Sequence, residues 1–276
     1  MNLLWAALIV ACVAVVAVAA MLLVRRGAPD GSYFEDGDRA AAIFGVLATG
    51  FAVLLGFVVF LAFESYDASR SGAQTEARTV AQQFQTAQFL PDDAGARLSG
   101  ELICYARSIV YGEWPVLESG RRVGEINPWG VAMFESLRAV EPDAASEQSA
   151  YDKWLDQTSE RENARADRLH GAEGVIPTPL WIVLLLSAVV IFVFVLFFAD
   201  SGERMIVQAT MMAGVAIVVV ATLLLLRFLD DPFGPGVGAL RPVAMERTLD
   251  ILEEAQAAAG ISVSIPCDEQ GVADGR

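Results

Sequence analysis

The stretch AAAIFGVLATGFAVLLGFVVFLAF, residues 40–63, decides how the chain is read. It holds no charged side chain. A helix of about 20 residues, rising ~1.5 Å per residue, crosses a hydrocarbon core of ~30 Å. Three further runs meet the same test, at Leu3 to Val24, about Leu180 to Ala199 and about Met205 to Phe228. The first is expected to be a retained helix and not a signal peptide. Its opening MNLLW carries no positive side chain, and Arg25 and Arg26 follow the apolar run. The whole chain of 276 residues is 55% hydrophobic, which places it among membrane proteins. Its formal net charge of −15 excludes a nucleic-acid partner, which would require a basic face.

Four spans divide the chain into a first transmembrane hairpin (1–63), an extramembrane region (64–178), a second hairpin (179–228) and a polar tail (229–276) expected to be disordered towards its end. The hairpins turn through the short stretches RRGAPDGSYFEDGDR and DSGER. The amino terminus, the extramembrane region and the tail therefore share one face of the membrane. Arg25, Arg26, Arg39 and Arg204 on the short loops, set against Arg70, Arg78, Arg165, Arg168 and Arg241 near the span ends on the opposite side, lean slightly towards a cytosolic position for those loops, in a close balance.

The extramembrane region reads as helical throughout. Ala73, Ala77, Val80, Phe84 and Ala87 continue the second span at helical spacing, until Pro91-Asp92-Asp93 breaks it. Leu98, Leu102, Tyr105 and Ile109 form a second stripe, and Met133, Phe134, Leu137 and Val140 a third. A fourth carries Tyr151, Trp154, Leu155 and Thr158 and runs on into Arg161, Arg165 and Arg168. These arginines are expected on a solvated face beside Glu160, Glu162 and Asp167, the alternative being a basic surface towards lipid headgroups or an ion route. With no strand alternation, the fold class is an all-α membrane protein.

No pattern supports catalysis: P-loop, nucleophile-elbow and H-E-x-x-H motifs are absent, and the one histidine, His170, stands before Gly171 at a helix end. Neither a cofactor nor a metal is expected. The three cysteines, Cys12, Cys104 and Cys267, have no ligand spacing, so a zinc site or a disulfide framework is not expected, and Cys104 reads as a packed thiol. Glu113, beside Trp114 and Pro115, reads as a helix-start carboxylate. After the fourth span comes LDDPFGPG, residues 229–236. Pro232 cannot continue a helix, Asp230 and Asp231 belong at the interface, and Gly234 allows a turn from which Phe233 packs back.

VLLGFVV in the second span, EWP at Glu113–Pro115, the Arg161/Arg165/Arg168 run, IPTPLW before the third span and DDPFG after the fourth occur in this order. Together they resemble the bestrophin-like family of bacterial membrane proteins, over about Val46 to Leu252. That family is named for a distant similarity to bestrophins, the pentameric anion channels. The resemblance implies a homo-oligomer, a pentamer, in the cell membrane, with both termini and the helical region cytosolic. It implies a pore neck at VLLGF and a turn at DDPFG, with Asp231 where bestrophins have Asn. The acidic calcium cluster of animal bestrophins is missing, so calcium gating is not implied. On the second span Thr49, Val53, Phe57 and Leu61 are spaced by four and would form an apolar neck, with Phe60 beside Leu61. Gly45, Gly50 and Gly56 would let neighbouring helices approach. The expected function is an ion channel, for anions before cations, with small inorganic ions and the bilayer as partners. The alternative is a non-conducting scaffold or sensor that binds a partner through its helical region.

Overall fold

The computed structural model describes residues 3–30, 33–124, 126–259 and 264–273. Among these are nine α-helices, one π-helix and one 3-10 turn, with a single isolated β-bridge. The chain forms two compact units. The first comprises Met1–Ser65, Gly174–Asp230 and Pro235–Gly238; the second comprises Tyr66–Glu173, Asp231–Gly234 and Ala239–Arg276.

The first unit contains α1 (Leu3–Arg25), the start of α2 (Gly37–Ala87), α7 (Thr178–Leu196) and α8 (Met205–Asp230). These four are long and apolar enough to cross a membrane. In lipid there is no water to expel, so helices gain from close packing and not from apolar burial as such. Accordingly α1 meets α8 through small or pliable residues, Ala14, Ala17 and Met21 against Met212 and Ala216. At the short-loop end, Phe34 packs on Phe198 and Phe194 with ring centroids 5.0 and 5.6 Å apart. Arg25 donates to the Gln208 side chain and to the carbonyls of Ser201 and Glu203.

α2 is one continuous helix of 51 residues, and only its first part is apolar. It ends at Ala87; Pro91 then supplies the cap position of α3 (Asp92–Arg107), as the Pro-Asp-Asp signal predicts.

The second unit gathers the rest of α2 with α3, a π-helix (Ser108–Glu113), α4 (Trp114–Glu118), α5 (Pro128–Arg138), α6 (Ala145–His170) and α9 (Val243–Ala259). Its core is built from the predicted stripes, with Leu98, Leu102, Ile109, Met133, Leu137 and Trp154 all buried together. The periodicity over residues 98–109 predicts one helix, but the helix widens after Arg107. The Trp114 amide donates to the Ile109 carbonyl, five residues back. Such a bulge shifts the helix face, and here it turns both Glu113 and Trp114 inward. The cysteines also depart from expectation, which had Cys104 as a packed thiol. Cys267 is joined to Cys104 by a disulfide. Their separation of 163 residues is why spacing did not reveal the pair, since connectivity between distant cysteines is set by the fold.

Candidate functional site

In the membrane unit, α2 has two unlike faces. Phe51, Leu55, Val58 and Ala62 are buried. Thr49, Val53, Phe57 and Leu61 are all exposed, Val53 by 69% and Phe57 by 61%, and Phe60 joins them. This is the face expected from the sequence to form a neck, and among the described residues it is left exposed. A Cβ added at Gly45, Gly50 or Gly56 would meet nothing within 4 Å, so these glycines serve no contact inside the chain. A helix returns to within about 20° of the same direction every seven residues. The residue seven beyond Phe57 is Glu64, exposed and still within unbroken α2. This exposed face therefore ends in a carboxylate.

In the helical unit a second constellation forms around α6. The sequence expectation for its arginines was a solvated face. The structure corrects it: Arg161, Arg165 and Arg168 are 1, 5 and 0% exposed. All three share the helix face of Trp154, so they continue a core stripe and not a surface one. Gly72 makes their meeting with α2 possible. A Cβ there would stand 2.6 Å from the Arg168 amide and 2.7 Å from the Ala164 carbonyl, so only glycine lets the α2 and α6 backbones touch. One turn further along α2, Glu76 accepts from Arg168 Nε at 2.5 Å and from Tyr105 at 2.6 Å. Glu113 accepts from Arg168 Nη2 at 2.8 Å, from Arg165 Nη1 and from the Asn127 side chain at 2.9 Å. Arg161 donates to Gln83 at 2.7 Å and lies over the Tyr105 ring, 5.0 Å from its centroid.

The electrostatics follow from this packing. Burial works to raise the Glu113 carboxyl, but Arg168 and then Arg165 outweigh it and hold it below the usual carboxylate range. Burial would favour losing the Arg168 proton, yet Glu76 and Glu113 fix the charge more firmly than in water. Burial, and then the Glu76 charge, push the Tyr105 phenol well above its ordinary value, so it stays a neutral donor. The cluster therefore sets three guanidiniums against two carboxylates. That suits cross-bracing of α2, the π-helix and α6, and it presents neither an activated nucleophile nor a poised base.

The DDPFG turn divides between the units. In the membrane unit, Asp230 is buried and Oδ1 accepts from the Val175 and Ile176 amides at 2.9 and 3.0 Å, just ahead of α7. Trp181 Nε1 donates to Oδ2 at 3.3 Å. Thus two motifs of the sequence, the IPTPLW segment and Asp230, are partners. In the helical unit, the Gly234 amide donates to the Asp231 carbonyl, and the Leu240 amide to the Pro232 carbonyl at 2.8 Å. Phe233 is 1% exposed and meets Trp114 edge to face at 5.5 Å, while Trp114 Nε1 donates to the Leu240 carbonyl. EWP and DPFG are therefore one packing unit; Pro115 stands in the first turn of α4 and Glu113 faces the arginines.

Sequence reasoning missed Glu76, Gln83, Asn127 and the cysteine pair. A signal for Glu76 was present: it sits among Ala73, Ala77 and Val80, a lone carboxylate on the apolar stripe of α2.

A family profile described as a Bestrophin-like domain matches residues 11–245. The fold is similar to crystal structures of single-substitution variants of a bacterial bestrophin homologue from Klebsiella pneumoniae. One has a TM-score of 0.64 at 13% identity, covering 88% of this chain and 98% of that one. Another has a TM-score of 0.62 at 14% identity, covering 91% and 98%. At such identities the likeness is one of fold. Among curated proteins none matches.

Proposed function

Because the chain belongs to the bestrophin-like family, we propose that it assembles with copies of itself into an ion channel whose path runs along the exposed face of α2. The observation that carries this reading is the continuity of that face. Val53, Phe57 and Leu61 form an apolar stretch, and the same helix leads directly to Glu64. Symmetric copies around α2, five by resemblance, would bring the apolar side chains into rings that gate by dewetting. The open surfaces at Gly45, Gly50 and Gly56 would accept neighbouring helices.

The same face bears on the ion. The resemblance puts anions first, and aromatic ring edges tolerate them. A ring of Glu64 carboxylates beside the neck weighs the other way, because acidic rings attract cations. The net charge of −15 adds to that field. Cations are therefore the permeant ions in this proposal, in a cell-membrane channel.

The test is the reversal potential of purified protein in planar bilayers under a potassium chloride gradient, alongside Glu64→Gln. A potential near the potassium limit that moves towards zero in Glu64→Gln supports the reading. A potential near the chloride limit restores anions. Absence of any current from folded, inserted protein removes the channel and leaves the scaffold.

A further inference from the structure

We propose that Cys104 and Cys267 form an oxidative modification site, and that the helical unit therefore lies on the non-cytosolic, oxidising face of the membrane. The pairing is not a chance proximity of two thiols. Cys104 is fully buried on α3, and its Cα is 5.8 Å from that of Cys267. The segment around Cys267 is shaped to reach it. Asp268 Oδ1 accepts from the Gln270 and Val272 amides at 2.9 and 2.8 Å, folding the chain back so that Cys267 pairs with Ala273. Arg107 Nη1 donates to the Asp268 carbonyl at 3.1 Å, and Trp129 Nε1 to the Gly271 carbonyl at 2.7 Å. Gly271 has φ +79°, and a Cβ there would stand 2.4 Å from the Ser108 amide. Ser264–Ala273 is thus a fitted clasp over the junction of α3 and the π-helix.

Joining the two thiols removes two electrons and two protons. The acceptor is the disulfide of a thiol oxidoreductase: thiolate attack on it gives a mixed disulfide, the second cysteine displaces it, and the oxidoreductase leaves as a dithiol. Cys104 is reachable only before α3 is packed, so the bond forms during folding and is afterwards shielded. The cytosol keeps such thiols reduced, whereas extracytoplasmic compartments supply the oxidant.

A second observation points the same way. Arg25, Arg26 and Arg39 flank the loop between α1 and α2, and Arg204 lies in the loop between α7 and α8. Arg70, Arg78, Arg165, Arg168 and Arg241 lie near span ends on the other face, so the count leans only slightly, the short loops weighing most in holding their side in the cytosol. Four spans put the residues of the helical unit on the face opposite these loops. This orientation is the reverse of the one implied by resemblance to bestrophins. It is independent of conduction, so either idea can fail alone.

Two measurements on the full-length chain test it. In the first, thiols of expressing cells are trapped with acid, and the denatured protein is alkylated with N-ethylmaleimide and weighed. One adduct, at Cys12, that becomes three after reduction is expected; three adducts without reduction overturn the modification. In the second, Ser146→Cys and Glu35→Cys, both exposed sites, are made separately in a Cys12→Ser background. They are probed on spheroplasts with a membrane-impermeant maleimide. Labelling of Ser146→Cys, with Glu35→Cys labelled only after lysis, is expected; the opposite order overturns the orientation even where the disulfide is present.

Discussion

Where α1 meets α8, the contact is Ala14, Ala17 and Met21 against Met212 and Ala216. Where α6 meets α2 in the helical unit, it is Arg168 against Glu76, with Gly72 clearing the space. The first contact has nothing to desolvate, because lipid is as apolar as the side chains, so small residues and close approach supply the attraction. The second strips two charges of water, a loss that the mutual attraction, the hydrogen bond Tyr105 donates to Glu76 and the one Arg168 donates to Glu113 must offset. An apolar replacement of the pair would stabilise a unit of this kind equally well in many cases. What the charged version adds is a directional link from α6 to both α2 and the π-helix.

The comparison breaks most readily at Arg168. Arg168→Met strands Glu76 in a fully buried position, and a loss of about 3–5 kcal/mol is expected in denaturant unfolding of the detergent-solubilised protein. Adding Glu76→Leu should recover most of that loss. A cost near zero for Arg168→Met would mean that the buried charges are not coupled. A matched pair of size changes comes next. Gly72→Ala presses a methyl group on α6 backbone, and Ala216→Leu overfills a fully buried position on α8. Overpacking of this kind costs about 1–3 kcal/mol. Proteolysis of the helical unit should report the first change, and loss of detergent-resistant α1–α8 packing the second.

A smaller effect is expected from pH. The folded Glu113 carboxyl lies below its unfolded value, so its stabilisation is fully present above the ordinary carboxylate range. It is lost as pH falls through the depressed folded value. Unfolding of the helical unit should therefore become easier below about pH 4.3, with a shallower acid limb in Glu113→Gln. Buried Glu101, whose carboxyl is raised by burial, acts in the opposite sense and is unchanged in that variant. The smallest stability effect is expected at Phe57→Ala, an exposed site, within about 0.5 kcal/mol, although conduction should change.

The membrane spans were the most legible part of the sequence, because length and hydropathy alone define them: α1 begins at the expected Leu3 and α8 at the expected Met205. The helical stripes were legible for the same reason, since Leu98, Leu102, Met133 and Trp154 repeat at the helical period. The arginines of α6 were not. Charge at i, i+4 and i+7 looks solvated when neighbouring acids are read along the chain, but the true partners lie on α2 and the π-helix, 92 and 55 residues away from Arg168. The stripe itself held the clue, since Trp154 and Thr158 lead straight into Arg161. The π-helix and the disulfide were illegible because both depend on contacts made only after folding. Thr49, Val53, Phe57 and Leu61 were legible as one helix face; what faces them is a matter of assembly.

The most direct measurement of the central claim is conduction through Phe57→Cys in a Cys12→Ser background, before and after a charged methanethiosulfonate reagent. The account predicts that modification blocks the current or changes it sharply, because residue 57 lines the ion path. Unchanged current with complete modification of residue 57, confirmed by mass, would contradict it and place the α2 face against lipid.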